Sequence, residues 1–485
     1  MANPAAAAAP EQSAKAKKYP YYIEKPLEEG RVKQFLDIFA AILRHSNYKP
    51  LLDIYSRVVT RCARCAGGCQ IYQATGDPED IPCYRSNLLL GVYRRHFTLG
   101  GWLRGRILGD PGLQESTIDE MLDAFYHCTG CRRCNLECPM GLDHGLVMRL
   151  ARNILSEMGI VPKALLVSVR EQLQGKTANT SAIPAPAMMD TCEFLEEELA
   201  DLTGQKIHFP IDREDVEYVF FPAVSDYLLE PDTLMGNAAV LYAAGDQDNW
   251  TIGTKYFDGI NYGLFYNDAI LGRIVEKEIA EVRRLRGKKI LIGECGHASR
   301  SAKAFVPTFN GGEAIPVVSI QEYTFNALEQ GKITLDPNAV TETVTYHDPC
   351  NLARSGWIVE QPRKILKSFV KNFVEMEPHG AENYCCGGGG GTVSLDEVHD
   401  YRMKVVGKIK AEQMRATGAE IIVAPCANCK KQLKELVDYY KIPATVVGLH
   451  DLILRAIRFP EKNGAATSEE TYEAGEIKEN SPVSV

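Results

Sequence analysis

The 485-residue chain has no run approaching about 18 consecutive apolar residues, so it predicts no transmembrane helix. Its opening stretch, "MANPAAAAAPEQSAKAKKYP", lacks a positive segment followed by an apolar core. Residues 1–30 are therefore expected to be a disordered leader, not a signal peptide. Basic residues are in deficit, 54 Lys and Arg against 63 Asp and Glu, and the net charge of −9 argues against nucleic acid as a principal partner. The glycine run 387–391 lacks the Lys-Ser/Thr of a phosphate loop, since "TVSL" follows it. Apolar residues are scarce after Pro460, and 461–485 reads as a disordered acidic tail. A chain without an export signal is expected in the cytoplasm, where disulfides are rare. Yet it carries 15 cysteines, mostly clustered, which points to metal or redox chemistry.

Residues 31–46 place Val32, Phe35, Leu36, Phe39, Ile42 and Leu43 at helical spacing, a face that either packs on its own core or docks on a partner. Residues 31–160 hold eight cysteines in two groups. Between the groups, 84–109 carries five arginines and no acid, and reads as a solvated cover over the cysteine sites or as a docking surface for a partner or an anionic membrane. Residues 161–211 read as linking helices and a polar loop. From 212 the pattern changes to short β-rich runs alternating with helices: "VEYVFFP", "KKILIGECG", "ETVTYHDPC" and "AEIIVAPC". This region reads as a duplication, 212–335 and 336–460, pairing Ala223 with Cys350, Cys295 with Cys426 and Ala298 with Cys429. The fold class expected is multidomain α+β: a helical two-cluster ferredoxin-like domain followed by a duplicated α/β cysteine-rich domain.

The second cysteine group, "CTGCRRCNLECP", gives Cys128, Cys131, Cys134 and Cys138 before Pro139. This is the C-x2-C-x2-C-x3-C-P run of bacterial ferredoxins, in which the fourth cysteine reaches the other cluster. The first group supplies Cys62, Cys65, Cys69 and Cys83. Near the C-terminus, Cys350 lies in "HDPCNLARSG", Cys385 and Cys386 in "YCCGGGGG", and Cys426 and Cys429 in "APCANCKK". Cys350 and Cys426 each follow a strand and precede a helix, whose N-terminus stabilises thiolate. Five thiolates in one crevice repel one another into protonation unless a metal neutralises them. Gly387 and Gly388 would let backbone N–H groups approach the sulfurs. Structural zinc is the rival metal.

The five-cysteine constellation resembles the cysteine-rich (CCG) domain of heterodisulfide reductases. Joined to the two-cluster domain, it resembles the HdrD architecture over roughly residues 30–460. Within that superfamily "GECGHASR" (293–300) and "YHDPCNLARSG" (346–356) look most like DsrK, with HmcF and TmcB as close relatives. Related proteins carry C-x2-C-x2-C-x3-C-P-x-Y in the first group. Matched backwards from Tyr72, Cys69 is the fourth cysteine, Cys65 the third and Cys62 the second, and Val59 stands where the first would be. Cys83 is the natural substitute. The partition this implies is a cubane [4Fe–4S] cluster on Cys62, Cys65, Cys83 and Cys138, and another on Cys128, Cys131, Cys134 and Cys69, with a three-iron cluster at the first site as the alternative. The resemblance further implies one noncubane [4Fe–4S] cluster on Cys350, Cys385, Cys386, Cys426 and Cys429, where a disulfide is split. The partners implied are an integral membrane quinone- or haem-binding subunit, other subunits of a membrane redox complex, and a small DsrC-like sulfur carrier bearing a disulfide or trisulfide. The chain would sit on the cytoplasmic face of the inner membrane through those subunits.

Two cysteines remain. Cys192 reads as a plain helical cysteine. Cys295 is either a vestige of a lost site or folded towards the cluster as a ligand or exchanging thiol. His347 is a candidate proton donor to a departing thiolate. The rival function is an electron conduit without sulfur chemistry, as in iron–sulfur subunits of glycolate, lactate and glycerol-3-phosphate oxidising enzymes.

Overall fold

The computed structural model describes residues 30–265 and 267–459. The expected leader and acidic tail lie outside these residues. No helix among the described residues is long and apolar enough to cross a membrane.

Residues 31–160 form a helical unit. The helix Arg31–His45 turns Phe35, Phe39 and Leu43, four residues apart, onto one face and buries all three. They meet Leu89, Leu90 and Tyr93 of the helix Pro82–His96, and Ile118, Phe125, Leu150 and Ile154 from the helices Glu115–His127 and His144–Glu157. Of the two readings of the first helix, core packing is the one adopted. The expected solvated cover at 84–109 needs correcting for its first half. Leu89, Leu90 and Tyr93 are wholly buried, and Tyr93 Oη donates to Asp53 at 2.6 Å, so Pro82–His96 is the central helix of the unit. Pro82 occupies its first turn, where no backbone N–H is required.

Two four-stranded parallel sheets follow the linking helices Lys163–Gln174 and Ala185–Thr203. The first contains β1 (Tyr218–Phe221), β2 (Trp250–Thr251), β3 (Lys289–Ile292) and β4 (Val317–Ser319), in the order β2-β1-β3-β4. A short β5 (Thr334–Leu335) precedes the second, built from β6 (Val340–Tyr346), β7 (Val370–Val374), β8 (Ile421–Val423) and β9 (Thr445–Val447) in the order β7-β6-β8-β9. Both sheets thus run second, first, third, fourth, so the duplication is written in the topology. β10 (Ile457–Arg458) returns antiparallel to β5 and ties the end of the second half to the first. Of the four inner strands, β1, β3 and β8 are short, mainly apolar runs, as strands covered on both faces require, while β6, "VTETVTY", is buried at its first residue and its last three.

The duplication sets two helix N-termini beside each other. β3 leads into the helix Gly296–Phe309 with Cys295 at its N-cap, and β8 into Ala427–Tyr440 with Cys426 at its N-cap. Ala427 N donates to Glu294 O at 2.9 Å, which joins the two strand ends directly. These are the carboxyl ends of parallel strands, where open α/β sheets hold their ligands.

The helical unit docks on the second half through polar contacts at the cysteines. Arg152 is fully buried and donates to the carbonyls of Phe125 (2.9 Å), Cys128 (2.8 Å), Phe265 (2.9 Å) and Gly390 (2.8 Å), and more weakly to Tyr126. The glycine run lies against the same loop: a Cβ at Gly389 would stand 2.5 Å from Thr129 O, and one at Gly390 would stand 2.8 Å from Cys128 O. Only a chain without side chains approaches that closely. Replacing Arg152 with Met removes the guanidinium that serves all five carbonyls. Arg152→Met is expected to lower stability by about 3 kcal/mol or more, read as a fall in the anaerobic urea midpoint. An unchanged midpoint would show that the carbonyls find other partners.

Candidate metal centres

The structure gathers thirteen of the fifteen cysteines at three places, none of them in a disulfide. Cys62, Cys65, Cys83 and Cys138 line one cavity with Val59, Met140 and Leu142. Cys83 is the second residue of Pro82–His96 and so sits where that helix's free N–H groups point. A hydrogen bond from the Cys65 thiol, aided by backbone N–H groups, pulls Cys83 down to about 6, while the same bond pushes Cys65 up. Cys62 is exposed and the other three are buried or half-buried.

A second cavity is lined by Cys69, Cys128, Cys131 and Cys134, with Gly68, Gln70, Thr129 and Met148 around them. Gly130 N donates to Cys128 Sγ at 3.5 Å. Burial pushes the Cys69 and Cys134 thiols up, and the buried guanidinium of Arg85 works against this at Cys69.

The third place holds Cys350, Cys385, Cys386, Cys426 and Cys429, all buried. Cys350 opens the helix Cys350–Gly356, and Cys426 and Cys429 lie at the N-cap and first turn of Ala427–Tyr440. Their thiols form a chain of contacts. Cys385 meets Cys350 and Cys386, Cys386 meets Cys429, and Cys429 meets Cys426. A hydrogen bond from Cys385 holds Cys386, and one from Cys295 holds Cys426, well below the ordinary thiol range, while bonds to Cys131 and to Cys386 push Cys385 and Cys429 well above it. Gly387 N and Gly388 N donate to the sulfurs of Cys385 and Cys386, each at 3.4 Å. The chain does not stop there: Cys385 also meets Cys131 of the second place, so the two sites adjoin sulfur to sulfur.

His347 points into this group. One of its ring nitrogens and the sulfurs of Cys386 and Cys429 lie within 4.8 Å of one another. The imidazole is wholly buried with no oxygen or nitrogen partner among the described residues, and burial lowers its pKa. Neutral imidazole and crowded thiols are donors suited to borderline-soft metals, so the donor set fits iron–sulfur groups at all three places. Cys295 Sγ contacts Cys426 and lies 3.2 Å from His297 Nδ1. Cys192 is remote: it is buried in Ala185–Thr203 against Met188 Sδ at 3.8 Å, and burial pushes its thiol up to about 12.

Four further residues shape the third site and were not singled out from the sequence. His297 lines its cavity beside Cys350, Cys386, Cys426 and Asn428, stacked on Tyr262 at 5.9 Å. Gln70 exchanges hydrogen bonds with the backbone of Cys385, giving to its O (3.1 Å) and taking from its N (2.8 Å). Arg354 donates to Cys131 O (2.7 Å), Asn383 O (2.7 Å) and Ala381 O (2.8 Å), binding both sides of the sulfur junction. Lys410 is wholly buried and donates to Asn383 Oδ1 at 2.7 Å. Desolvation lowers it to about 7 against the pull of Cys386, Asp348, Cys385 and Cys429. Two had a visible cue, since His297 follows Cys295 in "GECGHASR" and Arg354 lies within "HDPCNLARSG". Gln70 and Lys410 had none.

Comparison with known proteins divides the chain in the same way. Residues 60–142 match the 4Fe-4S dicluster domain family, and 344–434 match the cysteine-rich domain family. The first spans both four-cysteine sites and implies two [4Fe–4S] clusters; the second spans the five-cysteine site and points to a further iron–sulfur centre. The chain is 30% identical over 474 residues to the Hdr-like menaquinol oxidoreductase iron-sulfur subunit of Archaeoglobus profundus, covering 89% of this chain and 84% of that one. It is 25% identical over 411 residues to the D subunit of the dihydromethanophenazine:CoB–CoM heterodisulfide reductase of Methanosarcina mazei, covering 83% and 94%. It is 23% identical over 407 residues to the EtfAB:quinone oxidoreductase of Syntrophomonas wolfei, covering 79% and 55%.

Lys410 places an amine beside the five thiols, and the negative charge of the thiolates favours its protonated form. Lys410→Met is expected to lower the midpoint potential of the centre at that site by roughly 100 millivolts, the effect of one nearby unit charge at an effective dielectric of about 20. The two other centres should not move. Anaerobic potentiometric titration followed by electron paramagnetic resonance checks this, and an unshifted potential would mean that Lys410 is neutral when the site is loaded.

Proposed function

This chain belongs to the family of Hdr-like menaquinol oxidoreductase iron–sulfur subunits, and we propose that it carries menaquinol electrons to the five-cysteine site, where a disulfide is reduced. It is thus an iron–sulfur subunit of a heterodisulfide reductase-type complex. The finer reading places it in a membrane complex of dissimilatory sulfite metabolism, in the manner of DsrK. Its substrate would be a disulfide or trisulfide on the cysteine-bearing tail of a DsrC-type carrier.

The observation that carries this reading is the sulfur junction of Cys131 and Cys385. It joins a four-cysteine electron carrier to a five-cysteine site that has its own cavity. We assign Cys62, Cys65, Cys83 and Cys138 to one cubane cluster, Cys69, Cys128, Cys131 and Cys134 to the second, and Cys350, Cys385, Cys386, Cys426 and Cys429 to a noncubane cluster. The cubane groups would supply one-electron carriers at the two four-cysteine sites, and the noncubane group would supply iron with affinity for sulfur at the five-cysteine site. Exposed Cys62 marks the first site as the point of electron entry, with the second site as relay. The protein's own residues do the rest. Gly387 and Gly388 direct N–H groups at two of the sulfurs, Arg354 and Gln70 fix the junction, and Lys410 offsets negative charge. Asn428, His297 and Phe265 wall the cavity where an incoming disulfide would lie. His347 or His297 would hold a proton for the departing sulfur, and Cys295, against Cys426, would attack the incoming disulfide, releasing one thiol and leaving a mixed disulfide for the two electrons to reduce. One menaquinol gives two electrons and two protons, which turn one disulfide into two thiols, or one trisulfide into a thiol and a persulfide.

The similarity to the EtfAB:quinone oxidoreductase keeps the conduit reading in view, and one assay separates the two. In a chain purified without air and reduced, a carrier-protein disulfide should reoxidise the clusters. Cys385→Ala should slow this by more than about 100-fold while the signals of the two cubane clusters persist. If disulfide fails to reoxidise the unaltered chain, electron conduction alone is left.

A further inference from the structure

The second half of the arginine-rich stretch folds into a helix that buries none of its own residues. Leu99–Leu108, "LGGWLRGRIL", is a well-formed helix, capped by Thr98 Oγ1 accepting from Gly101 N at 3.1 Å and closed by Gly109 at φ 65°. It has no buried residue. Leu99 is 76% exposed, Trp102 53%, Ile107 74% and Leu108 70%, and Leu103 is exposed as well. A helix this short gains too little from its own hydrogen bonds to persist without tertiary support. Its support comes from one face only. Gly101 and Gly105, four residues apart, lie on the helix Pro82–His96, where a Cβ at Gly101 would fall 1.8 Å from Arg94 O and one at Gly105 2.0 Å from Arg95 Cζ.

The positions two residues away from those glycines point the opposite way, since each residue turns the helix by about 100°. They are Leu99, Leu103 and Ile107, a stripe at four-residue spacing facing solvent. Beside it runs a second stripe, Trp102 and Arg106, with the Arg106 guanidinium 5.7 Å from the Trp102 ring centre. Neither Arg104 nor Arg106 pairs with a carboxylate among the described residues. Residues 84–109 contain five arginines and no acid.

We propose that Leu99–Leu108 is a membrane-interfacial helix that sets Leu99, Leu103 and Ile107 into the acyl boundary of an anionic phospholipid bilayer. Trp102 would lie at headgroup level, and Arg104 and Arg106 would reach the phosphates. The composition is what such helices need: apolar anchors, an interfacial aromatic and cations whose stems lie along the apolar surface. Charge complementarity selects the anionic bilayer over a neutral one. The placement also has a use. The supporting helix begins at Pro82–Cys83, about 22 Å away along its axis, so the anchor would hold the Cys62–Cys65–Cys83–Cys138 site near the bilayer surface. The proposal concerns lipid contact by this chain itself and is independent of any sulfur chemistry.

The test is vesicle flotation of the purified, cluster-loaded chain. The unaltered protein should float with vesicles of phosphatidylglycerol and phosphatidylcholine and remain behind with phosphatidylcholine alone. Leu103→Glu with Ile107→Glu should weaken flotation about tenfold or more, and Arg104→Gln with Arg106→Gln should remove the preference for phosphatidylglycerol. Iron content and cluster spectra should be unchanged in both, because every altered side chain is exposed. The proposal is overturned if the unaltered chain ignores anionic vesicles, or if the Leu103/Ile107 variant floats equally. It is also overturned if that variant loses only its membrane-protein partner while the unaltered chain fails to bind lipid, since the patch would then belong to a protein interface.

Discussion

The constraint on which the rest depends is electrostatic. Five buried thiols at the C-terminal site stand close enough to share protons, and a sixth, Cys131, joins them from the other unit. Alternate sulfurs are driven towards thiolate and thiol, the pattern expected when several acids compete for too little positive charge. The chain offers Lys410 and Arg354, and the N-terminus of Ala427–Tyr440, which cannot neutralise a fully ionised set. Bridging irons can. The docking of the two units, the glycine run and the buried arginines all follow from the need to bring these sulfurs together and to let no side chain stand between them.

The duplicated α/β region shows how one half can be given over to serving the other. The first sheet repeats the strand order of the second but keeps a single cysteine, Cys295, at the position of Cys426. This half supplies a wall: Phe265 and His297, with Tyr262 stacked behind His297, line one side of the five-cysteine site, and Glu294 O takes the first N–H after Cys426. The first half thus shapes the surroundings of the site in the second.

Much of this was legible in the sequence because cysteine spacing is a strong local signal. The ferredoxin run, the adjacent Cys385 and Cys386, and the four strands ending in Phe221, Ile292, Tyr346 and Val423 are all contiguous patterns. The strands β2, β4, β7 and β9 were not foreseen. They are two to five residues long or half-exposed, and their apolar runs are too brief to separate from loop. The reading of 84–109 as a single surface segment failed for its first half. Arginine content hid the fact that Leu89, Leu90 and Tyr93 share one face, while Arg85 is buried against Asp80 and the second cysteine group. Gln70 and Lys410 could not have been found, because each acts on a site more than a dozen residues away in sequence, and only the fold brings them there.

An iron–sulfur centre at the C-terminal site should differ in kind from the other two. Mössbauer spectroscopy of the chain grown on isotopically enriched iron and purified without air addresses this directly. Three iron populations of equal area are expected, two of them cubane and alike and one distinct, with the distinct one absent from a Cys386→Ser chain. A spectrum with only two cubane populations, accompanied by zinc or free thiols at Cys385 and Cys386, would contradict the account.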